Sequence, residues 1–300
     1  MKILLAGGKG YIGSNLLSRL ELQASIKSID YYQEQIDKNI TKIDLTDIHQ
    51  INQFTENCDH FDALIFLVGL AHAKGKAKDF FEFKKVNYQT LVNLLTSLKD
   101  NNKVPEKIIF SSTISVYGEK YHQYLYNEES RVNPFSPYAV TKLKAEQYLL
   151  DNFSARSWIL RFAPVYSSDF LLNINRRTRF GSRFYKVGNG SSKLSLCNID
   201  NIKAAVEAII EGKVPAGIYN ISDYKDYTYD ELLKWQNVSR VIRVPLFAVK
   251  LMYHFGKLKS AFIKENTVKL ISDNVFPSDK IRSYVNLPAT INDVKYYSDQ

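Results

Sequence analysis

The chain has 300 residues, 45% of them apolar, with a formal net charge of +9 and an isoelectric point near 9.2. This length and composition support a sizeable packed core, while the apolar runs are too short for a signal peptide or a membrane span, which excludes an integral membrane protein and favours a cytoplasmic enzyme. Cys58 and Cys197 are the only cysteines, too few for a disulfide framework and without metal-binding spacing, so we expect no metal site.

Short apolar runs alternate with helical patterns over the first 160 residues. The predicted strands are residues 2–6, 25–29, 63–68, 107–111 and 158–162, and the predicted helices are residues 11–23, 47–57, 79–100 and 137–152. Strands separated by helices indicate βαβ units and a mainly parallel sheet covered on both faces. The sequence therefore predicts an α/β fold with a Rossmann-type doubly wound sheet.

The second half of the chain is less regular. Residues 173–192 are rich in Arg, Gly and Ser and are predicted to form a loop region at a ligand. A further helix is predicted over 201–211, and a strand over 217–222 is expected to rejoin the first sheet.

These patterns predict two domains. A Rossmann-type domain is expected over residues 1–162, joined by segments near 195–222. Residues 163–300 are expected to form mainly a smaller, mixed α/β substrate-binding lobe.

A glycine-rich turn joins the first strand to the first helix. Gly7, Gly10 and Gly13 have the spacing G-x-x-G-x-x-G, a variant of the Rossmann fingerprint, with Tyr11 and Ile12 between the last two. Glycines here give a tight turn and let the backbone approach a pyrophosphate at the helix N-terminus. Turns also favour glycine for purely structural reasons, so the cluster needs support from its context.

That context is Asp30, which ends the second predicted strand. A carboxylate at this position accepts hydrogen bonds from the adenosine ribose and repels a 2′-phosphate, which favours NAD. Two alternatives remain: Asp30 caps a loop, or Lys9 in the glycine turn attracts the 2′-phosphate of NADP.

A Tyr followed four residues later by a Lys occurs twice, as Tyr138/Lys142 and as Tyr253/Lys257. The first pair follows Pro137, a favourable first helical residue, whereas the second is interrupted by a glycine. We interpret the first pair as catalytic, because a neighbouring ammonium lowers the pKa of a phenol that must accept a proton. The second pair is interpreted as packing or solvated.

A run of hydroxyl side chains ends the strand predicted over 107–111. Ser111, Ser112 and Thr113 lie at its carboxyl end, where open α/β sheets place ligand chemistry. Capping of a helix or loop is the alternative role for such residues.

Taken together, these residues resemble the extended short-chain dehydrogenase/reductases, specifically the nucleotide-sugar epimerase/dehydratase family. The matching segments, in chain order, are AGGKGYIG, Asp30, IDLTD (43–47), FLVGLAH (66–72), VNYQT (86–90), FSSTISVYG, SPYAVTK, LRFAPVY (160–166) and SDNVFPSDKIR (272–282).

The resemblance implies roles for individual residues. Asp44 and Leu45 would line the adenine pocket, Gly69 and Leu70 would pass close to the cofactor, and Asn87 would support the fold near the site. Thr113, Tyr138 and Lys142 would form the catalytic trio, with Lys142 also bonding the nicotinamide ribose.

The resemblance also implies the reaction: an NAD-dependent epimerase acting at C4 of a nucleotide-sugar, with a UDP-linked substrate and a homodimeric assembly. A 4-keto-sugar reductase of surface-polysaccharide biosynthesis is the alternative, and a non-catalytic dinucleotide-binding protein is a further one. Dehydratases of the family carry acidic residues after the catalytic Thr, where this chain has Ile114 and Ser115, so dehydration is not expected.

Substrate contacts depart from the family pattern. Pro164 stands where galactose-type epimerases carry an Asn, Ser167 replaces a Gly, and a later diphosphate-binding Arg aligns with Lys193 or Leu194. Candidate phosphate-binding residues are Arg176, Arg177, Arg179 and Arg183, with a solvated basic surface as the alternative.

The basic character leaves two other partners to weigh. Arginines interleaved with aromatic residues near 176–186 would also suit nucleic acid, but an anionic nucleotide-sugar explains them more economically, so no nucleic-acid partner is expected. Residues 241–260 form a basic amphipathic stretch, which we interpret as a core-facing helix with snorkelling lysines; peripheral membrane attachment is the alternative.

Overall fold

The computed structural model describes residues 1–20, 24–31, 40–70, 80–118, 120–259 and 267–296, without the side chains of Arg19 and residues 255–259. The described chain forms two compact units. Unit 1 comprises residues 1–113, 137–160 and 206–218, and unit 2 comprises 114–136, 161–205 and 219–300. The predicted domain boundary at 162/163 stays a prediction.

The main helices are α1 Tyr11–Leu20, α2 Ile48–Asn57, α3 Phe80–Lys84, α4 Thr90–Asp100, α5 Pro137–Phe153, α6 Leu172–Thr178, α7 Ile199–Ile210, α8 Tyr229–Trp235 and α9 Leu246–Lys259. The strands are β1 Lys2–Ala6, β2 Ser25–Asp30, β3 Ile40–Lys42, β4 Ala63–Phe66, β5 Lys107–Thr113, β6 Ser157–Phe162, β7 Val165–Tyr166, β8 Arg179–Phe180, β9 Arg183–Val187, β10 Lys193–Leu194, β11 Cys197–Asn198, β12 Gly217–Ile221, β13 Tyr227–Thr228 and β14 Val241–Val244. Among the described residues, no helix is both long and apolar enough to cross a bilayer.

A seven-stranded sheet has the order β12-β6-β5-β4-β1-β2-β3, and its neighbouring pairs from β5 to β3 are parallel. The predicted doubly wound sheet is thereby confirmed, and β12 joins it as expected. The strand order reverses between β1 and β4, and the crevice outside the carboxyl ends of strands at such a point is where this architecture binds ligands.

Strands β1, β4, β5 and β6 are buried on both faces along almost their whole length, which is why they appear in the sequence as apolar runs. All four residues of β4 are buried, and Leu4, Leu64 and Ile108 on three neighbouring strands belong to one apolar cluster. The strand predicted over 63–68 ends at Phe66.

The helix predicted over 79–100 is interrupted. Helix α3 continues into a π-helical turn, Lys85–Gln89, and then into α4. Such turns insert one extra residue and are frequent at functional sites. This one contains Asn87, whose side chain is fully buried.

The prediction that residues 173–192 form a loop at a ligand is wrong for their secondary structure. These residues contribute to helix α6 and to strands β8 and β9, which pair antiparallel, while β9 also pairs in parallel with β14. Elements of two to seven residues are too short to show a period in the sequence, and Arg and Gly side chains conceal them further.

Residues 241–260, interpreted as one core-facing helix, divide into strand β14 and helix α9, so the helix prediction is wrong for 241–244. Among the described side chains of α9, Val249 is buried, whereas Phe247, Leu251 and Met252 are 74%, 56% and 55% exposed. The described part of α9 therefore packs through the side that carries Val249 and leaves large apolar side chains exposed.

The core of unit 2 contains a buried carboxylate, Asp223. Its Oδ1 accepts hydrogen bonds from Asn198 N at 2.8 Å and Asn201 Nδ2 at 2.9 Å. Its Oδ2 accepts from the hydroxyls of Tyr166 at 2.6 Å and Tyr227 at 2.8 Å. Burial raises the pKa of Asp223 to about 6, although these hydrogen bonds oppose the shift. Four donors converge on one side chain because a buried charge must be hydrogen-bonded to be tolerated.

We expect Tyr227→Phe to lower the free energy of unfolding by about 1–3 kcal/mol, because it leaves buried groups without a partner. The hydroxyl of Tyr227 donates to Asp223 and accepts from Ile291 N at 3.1 Å. Urea denaturation measures the effect, with Tyr224→Phe as the control, since Tyr224 is 62% exposed. Equal stability of the two variants would contradict a structural role for the network.

Candidate active site

The glycine turn follows β1 in unit 1. Gly7 has a φ of +90°, a conformation that L side chains rarely adopt. Gly10 N donates to Gly7 O at 3.1 Å, which closes the turn. A Cβ on Gly13 would lie 2.2 Å from Gly7 O, so no side chain fits there. Gly7 and Gly13 are therefore required by conformation and by packing, respectively.

The turn and its surroundings fit a dinucleotide. Tyr11 and Ile12 begin α1, and the first amides of any helix have no intrahelical acceptor, which suits a diphosphate. Asp30 at the end of β2 lies beside the turn, because its Oδ2 accepts a hydrogen bond from Lys9 N at 2.9 Å. A carboxylate next to a phosphate-binding turn is the arrangement that ribose recognition needs.

Asp44 and Leu45 lie between β3 and α2. Asp44 Oδ1 accepts hydrogen bonds from Thr46 N at 2.8 Å and Thr46 Oγ1 at 2.7 Å. The side chain of Leu45 is buried in the apolar cluster of unit 1. These contacts hold the backbone of the loop in place, and contact with adenine stays a prediction.

The ammonium group of Lys142 lies at the carboxyl ends of β4 and β5. Its Nζ donates to Ser111 O at 2.8 Å and to Val68 O at 3.3 Å, and lies 4.7 Å from the centre of the Phe110 ring. A Cβ on Gly69 would approach Lys142 Nζ to 3.0 Å, closer than side chains tolerate. Glycine at position 69 thus leaves room for the lysine.

Asn87 connects the π-helical turn to the segment after β4. Its Oδ1 accepts from Leu70 N at 2.6 Å, and its Nδ2 donates to Leu70 O and to Thr141 Oγ1, both at 3.2 Å. Both side-chain polar atoms of Asn87 thus hold the backbone of Leu70, and its amide also contacts helix α5 next to Lys142. The remainder of the FLVGLAH segment, residues 71 and 72, lies outside the described residues.

Tyr138 and Thr113 are hydrogen-bonded to each other through their side chains. Tyr138 is half-buried on the first turn of α5, and Thr113 is buried at the end of β5. Burial raises the pKa of Tyr138 to about 12, and the hydrogen bond with Thr113 opposes the shift without overcoming it. Desolvation therefore dominates the pKa of Tyr138. The expectation that Lys142 lowers this pKa stays a prediction.

Lys142 is itself 2% exposed, and burial lowers its pKa to about 7. The carboxylate of Glu146 acts in the opposite direction and favours the ammonium form. Glu146 is 1% exposed and accepts a short hydrogen bond from the Ser112 hydroxyl. The sequence analysis missed this residue, although its spacing of four residues from Lys142 places both on one helix face.

The other Tyr/Lys pair has different surroundings. The Tyr253 ring lies 5.8 Å from the ring of Tyr121 in unit 2, which is a packing contact. The side chain of Lys257 lies outside the described residues.

Two of the candidate phosphate-binding arginines have partners within unit 2. Arg177 Nη1 donates to Asn173 O at 2.6 Å, and the guanidinium of Arg179 lies 4.6 Å from the centre of the Phe184 ring. Arg183 is exposed on β9. A role of these residues in binding phosphate stays a prediction.

Fold and site together define a Rossmann-type dinucleotide-binding protein with a Tyr-Lys pair. The model of the NAD dependent epimerase/dehydratase family matches residues 3–222. The chain therefore belongs to this enzyme family.

Several known proteins are similar over most of the chain. The N-acetyl-alpha-D-glucosaminyl-diphospho-ditrans,octacis-undecaprenol 4-epimerase of Escherichia coli O157:H7 is 26% identical over 266 residues, 85% of this chain and 77% of that protein. A UDP-glucose 4-epimerase of Vibrio cholerae is 26% identical over 278 residues, 85% of this chain and 81% of that protein. The structure of the UDP-Glc/GlcNAc 4-epimerase of Campylobacter jejuni is similar with a TM-score of 0.73 at 20% identity, covering 96% of this chain and 94% of that one.

We expect Glu146→Gln to lower the pKa of Lys142 further below about 7, because the substitution removes the carboxylate that favours the ammonium. Glutamine keeps an oxygen that can accept from Ser112. An NMR titration of lysine labelled with ¹³C at Cε measures the pKa, with the same change at exposed Glu129 as the control. An unchanged Lys142 titration in Glu146→Gln would show that the two groups are not electrostatically coupled.

Proposed function

We propose that the protein is a C4 epimerase of a UDP-hexose or UDP-N-acetylhexosamine that keeps NAD bound between turnovers. The observation that carries this proposal is the hydrogen bond between Tyr138 on α5 and Thr113 on β5, in a chain of the NAD dependent epimerase/dehydratase family. Buried Lys142 shares α5 with Tyr138 and donates to Ser111 O of β5.

In this proposal the cofactor is held at the carboxyl ends of β1, β2 and β4. The residues assigned to it are Gly7, Gly10, Tyr11, Ile12, Gly13, Asp30, Asp44, Leu45, Gly69 and Lys142. The carboxylate of Asp30 favours NAD over NADP, because a 2′-phosphate beside it would be repelled. When bound, NAD supplies a hydride acceptor for the sugar C4 and returns the hydride afterwards.

Tyr138 is the proposed base, and Thr113 the residue that positions the reacting oxygen. The phenolate oxygen of Tyr138 would accept the proton of the sugar 4-hydroxyl and give it back after the 4-keto sugar has turned over. Because burial holds the pKa of Tyr138 at about 12, its ionisation needs positive charge nearby. Lys142, one helical turn away, is the group placed to supply it, and Glu146 favours its charged form.

The choice of an epimerase over a 4-keto-sugar reductase rests on Asp30. Its carboxylate favours NAD, the form typical of internal recycling, whereas many biosynthetic reductases use NADPH. An epimerase regenerates NAD⁺ in each cycle and gains from retaining it, whereas a reductase must exchange its spent cofactor. Dehydration is not proposed, because Ile114 and Ser115 after Thr113 offer no acid near neutral pH.

Besides a nucleotide, a polyprenyl chain is a second candidate for the group that carries the sugar through a diphosphate. The Vibrio cholerae relative acts on a UDP-sugar, while the Escherichia coli relative acts on a sugar linked through diphosphate to undecaprenol. The match to the latter over 85% of this chain favours testing a polyprenyl-diphosphate sugar beside the nucleotide-linked one.

Two further parts of the proposal concern assembly and location. We propose a homodimer in the cytoplasm, with residues 163–300 supplying most substrate contacts. A reducing compartment suits the two cysteines, Cys58 and Cys197, which are both unpaired thiols. Light scattering coupled to gel filtration tests the dimer directly.

We expect Tyr138→Phe to reduce turnover by roughly 10²–10⁴-fold, the usual contribution of acid–base catalysis. Binding of NAD should change little, because the ring and its packing remain. Steady-state kinetics and calorimetric titration with NAD measure the two quantities. The control is Tyr253→Phe, the same change in the other Tyr/Lys pair, and a loss of turnover in that variant alone would reverse the assignment.

We expect the purified protein to convert UDP-N-acetylglucosamine or UDP-glucose into its C4 epimer without added cofactor, as observed by NMR. The polyprenyl-diphosphate sugar is tested in parallel, and conversion of that substrate alone would change the proposed carrier. Stoichiometric oxidation of added NADH or NADPH with a 4-keto sugar, without epimerisation, would identify a reductase. A 4-keto-6-deoxy product would contradict the exclusion of dehydration.

A further inference from the structure

Helix α9 and the strand before it expose large apolar side chains in unit 2. Ile242 on β14 is 48% exposed, and Leu246, Phe247, Leu251 and Met252 on α9 are 41%, 74%, 56% and 55% exposed. Phe247 and Leu251 are four residues apart and therefore lie on one face of the helix. We call these five residues the α9 patch. Contiguous exposed apolar residues of this size mark a binding surface rather than ordinary solvent-exposed positions.

The α9 patch lies in a basic segment of the chain. Residues 232–264 contain seven Lys and Arg and no Asp or Glu, although Lys234 is paired with Asp230 at 2.9 Å. Arg240 and Arg243 are exposed next to the patch in the chain, and Lys250 on α9 is half-buried with its ammonium 5.7 Å from the centre of the Tyr121 ring. Exposed apolar side chains and exposed arginines thus occur together in this segment.

We propose that the α9 patch docks the protein on the surface of an anionic lipid membrane. Phe247 and Leu251 would enter the boundary between headgroups and acyl chains, while Arg243 and the neighbouring basic residues would contact lipid phosphates. Amphipathic helices that lie in the membrane interface combine Phe or Leu on one side with Lys and Arg around it, and their binding grows with both buried apolar area and anionic lipid.

The positive charge of this segment, together with its exposed apolar side chains, favours an anionic membrane over a second copy of the chain or nucleic acid. A second copy of the chain docked through the same patch would bring two segments without Asp or Glu, each with exposed Arg240 and Arg243, together, which disfavours a two-fold contact. Nucleic acid would satisfy the positive charge, but it offers no apolar environment for Phe247, Leu251 and Met252. An anionic bilayer supplies both.

The test is flotation of the purified full-length protein with phospholipid vesicles. We expect binding to vesicles of phosphatidylcholine containing about one third phosphatidylglycerol, and much weaker binding to phosphatidylcholine alone. Binding should weaken when NaCl rises above about 0.1 M, because the Debye length is then shorter than about 10 Å. Failure to bind the anionic vesicles would overturn the proposal.

Substitutions test whether the α9 patch is the surface that contacts the vesicles. The double variant Phe247→Ser/Leu251→Ser should lower the vesicle partition coefficient by about tenfold or more, since it removes the apolar anchors. Ile48→Ser is the matched control, because Ile48 is an aliphatic residue 42% exposed on helix α2 of unit 1. Equal binding of the double variant and wild type would show that the α9 patch is not the contact.

Light scattering tests whether the α9 patch instead binds a second copy of the chain. If the double variant changed the oligomeric state while wild type ignored vesicles, a second copy would be the partner and the proposal would be wrong. Circular dichroism of the double variant should match wild type, because both substituted side chains are exposed. Flotation uses no sugar substrate, so its result is independent of the proposed epimerase activity.

Discussion

The site in unit 1 depends on one buried ammonium group held by two backbone carbonyls. Lys142 Nζ donates to Val68 O and Ser111 O, which follow or end two neighbouring parallel strands. A buried charge without such acceptors would cost several kcal/mol, so helix α5 must present this lysine at the edge of the sheet. Tyr138 lies four residues earlier on the same helix. The position of the proposed catalytic residues on α5 is thus tied to how one buried charge is accommodated.

The sequence predicts the features that a continuous apolar run or one particular residue type specifies locally. Strands β1, β5 and β6 are buried on both faces along almost their whole length and appear as apolar runs. The glycine turn is dictated by a positive φ at Gly7 and by packing at Gly13. Pro137 gives the Tyr138/Lys142 pair a favourable helix start, and this pair lies on α5, although its catalytic role stays a prediction.

What could not be predicted depends on long-range contacts and on the depth of burial. The spacing of Glu146 and Lys142 places both on one face of α5, but the burial of both side chains depends on the packing of that helix. The pKa of Tyr138 is raised by desolvation that no motif encodes. The π-helical turn around Asn87 has no periodic signature, since one inserted residue looks like a continuous helix. Short strands such as β8 and β9 depend on their pairing partners for their existence.

The carboxylate in the core of unit 2 has a practical consequence for structure determination. Because the pKa of Asp223 is about 6, its protonation changes within the range of ordinary crystallisation buffers. A protonated carboxyl group must donate one hydrogen bond, yet Asn198 and Asn201 present only N–H donors to it. The phenol of Tyr166 or Tyr227 must then turn from donor to acceptor. Crystals grown well below and well above pH 6 are therefore expected to differ in the hydrogen-bond arrangement around Asp223, which neutron diffraction detects.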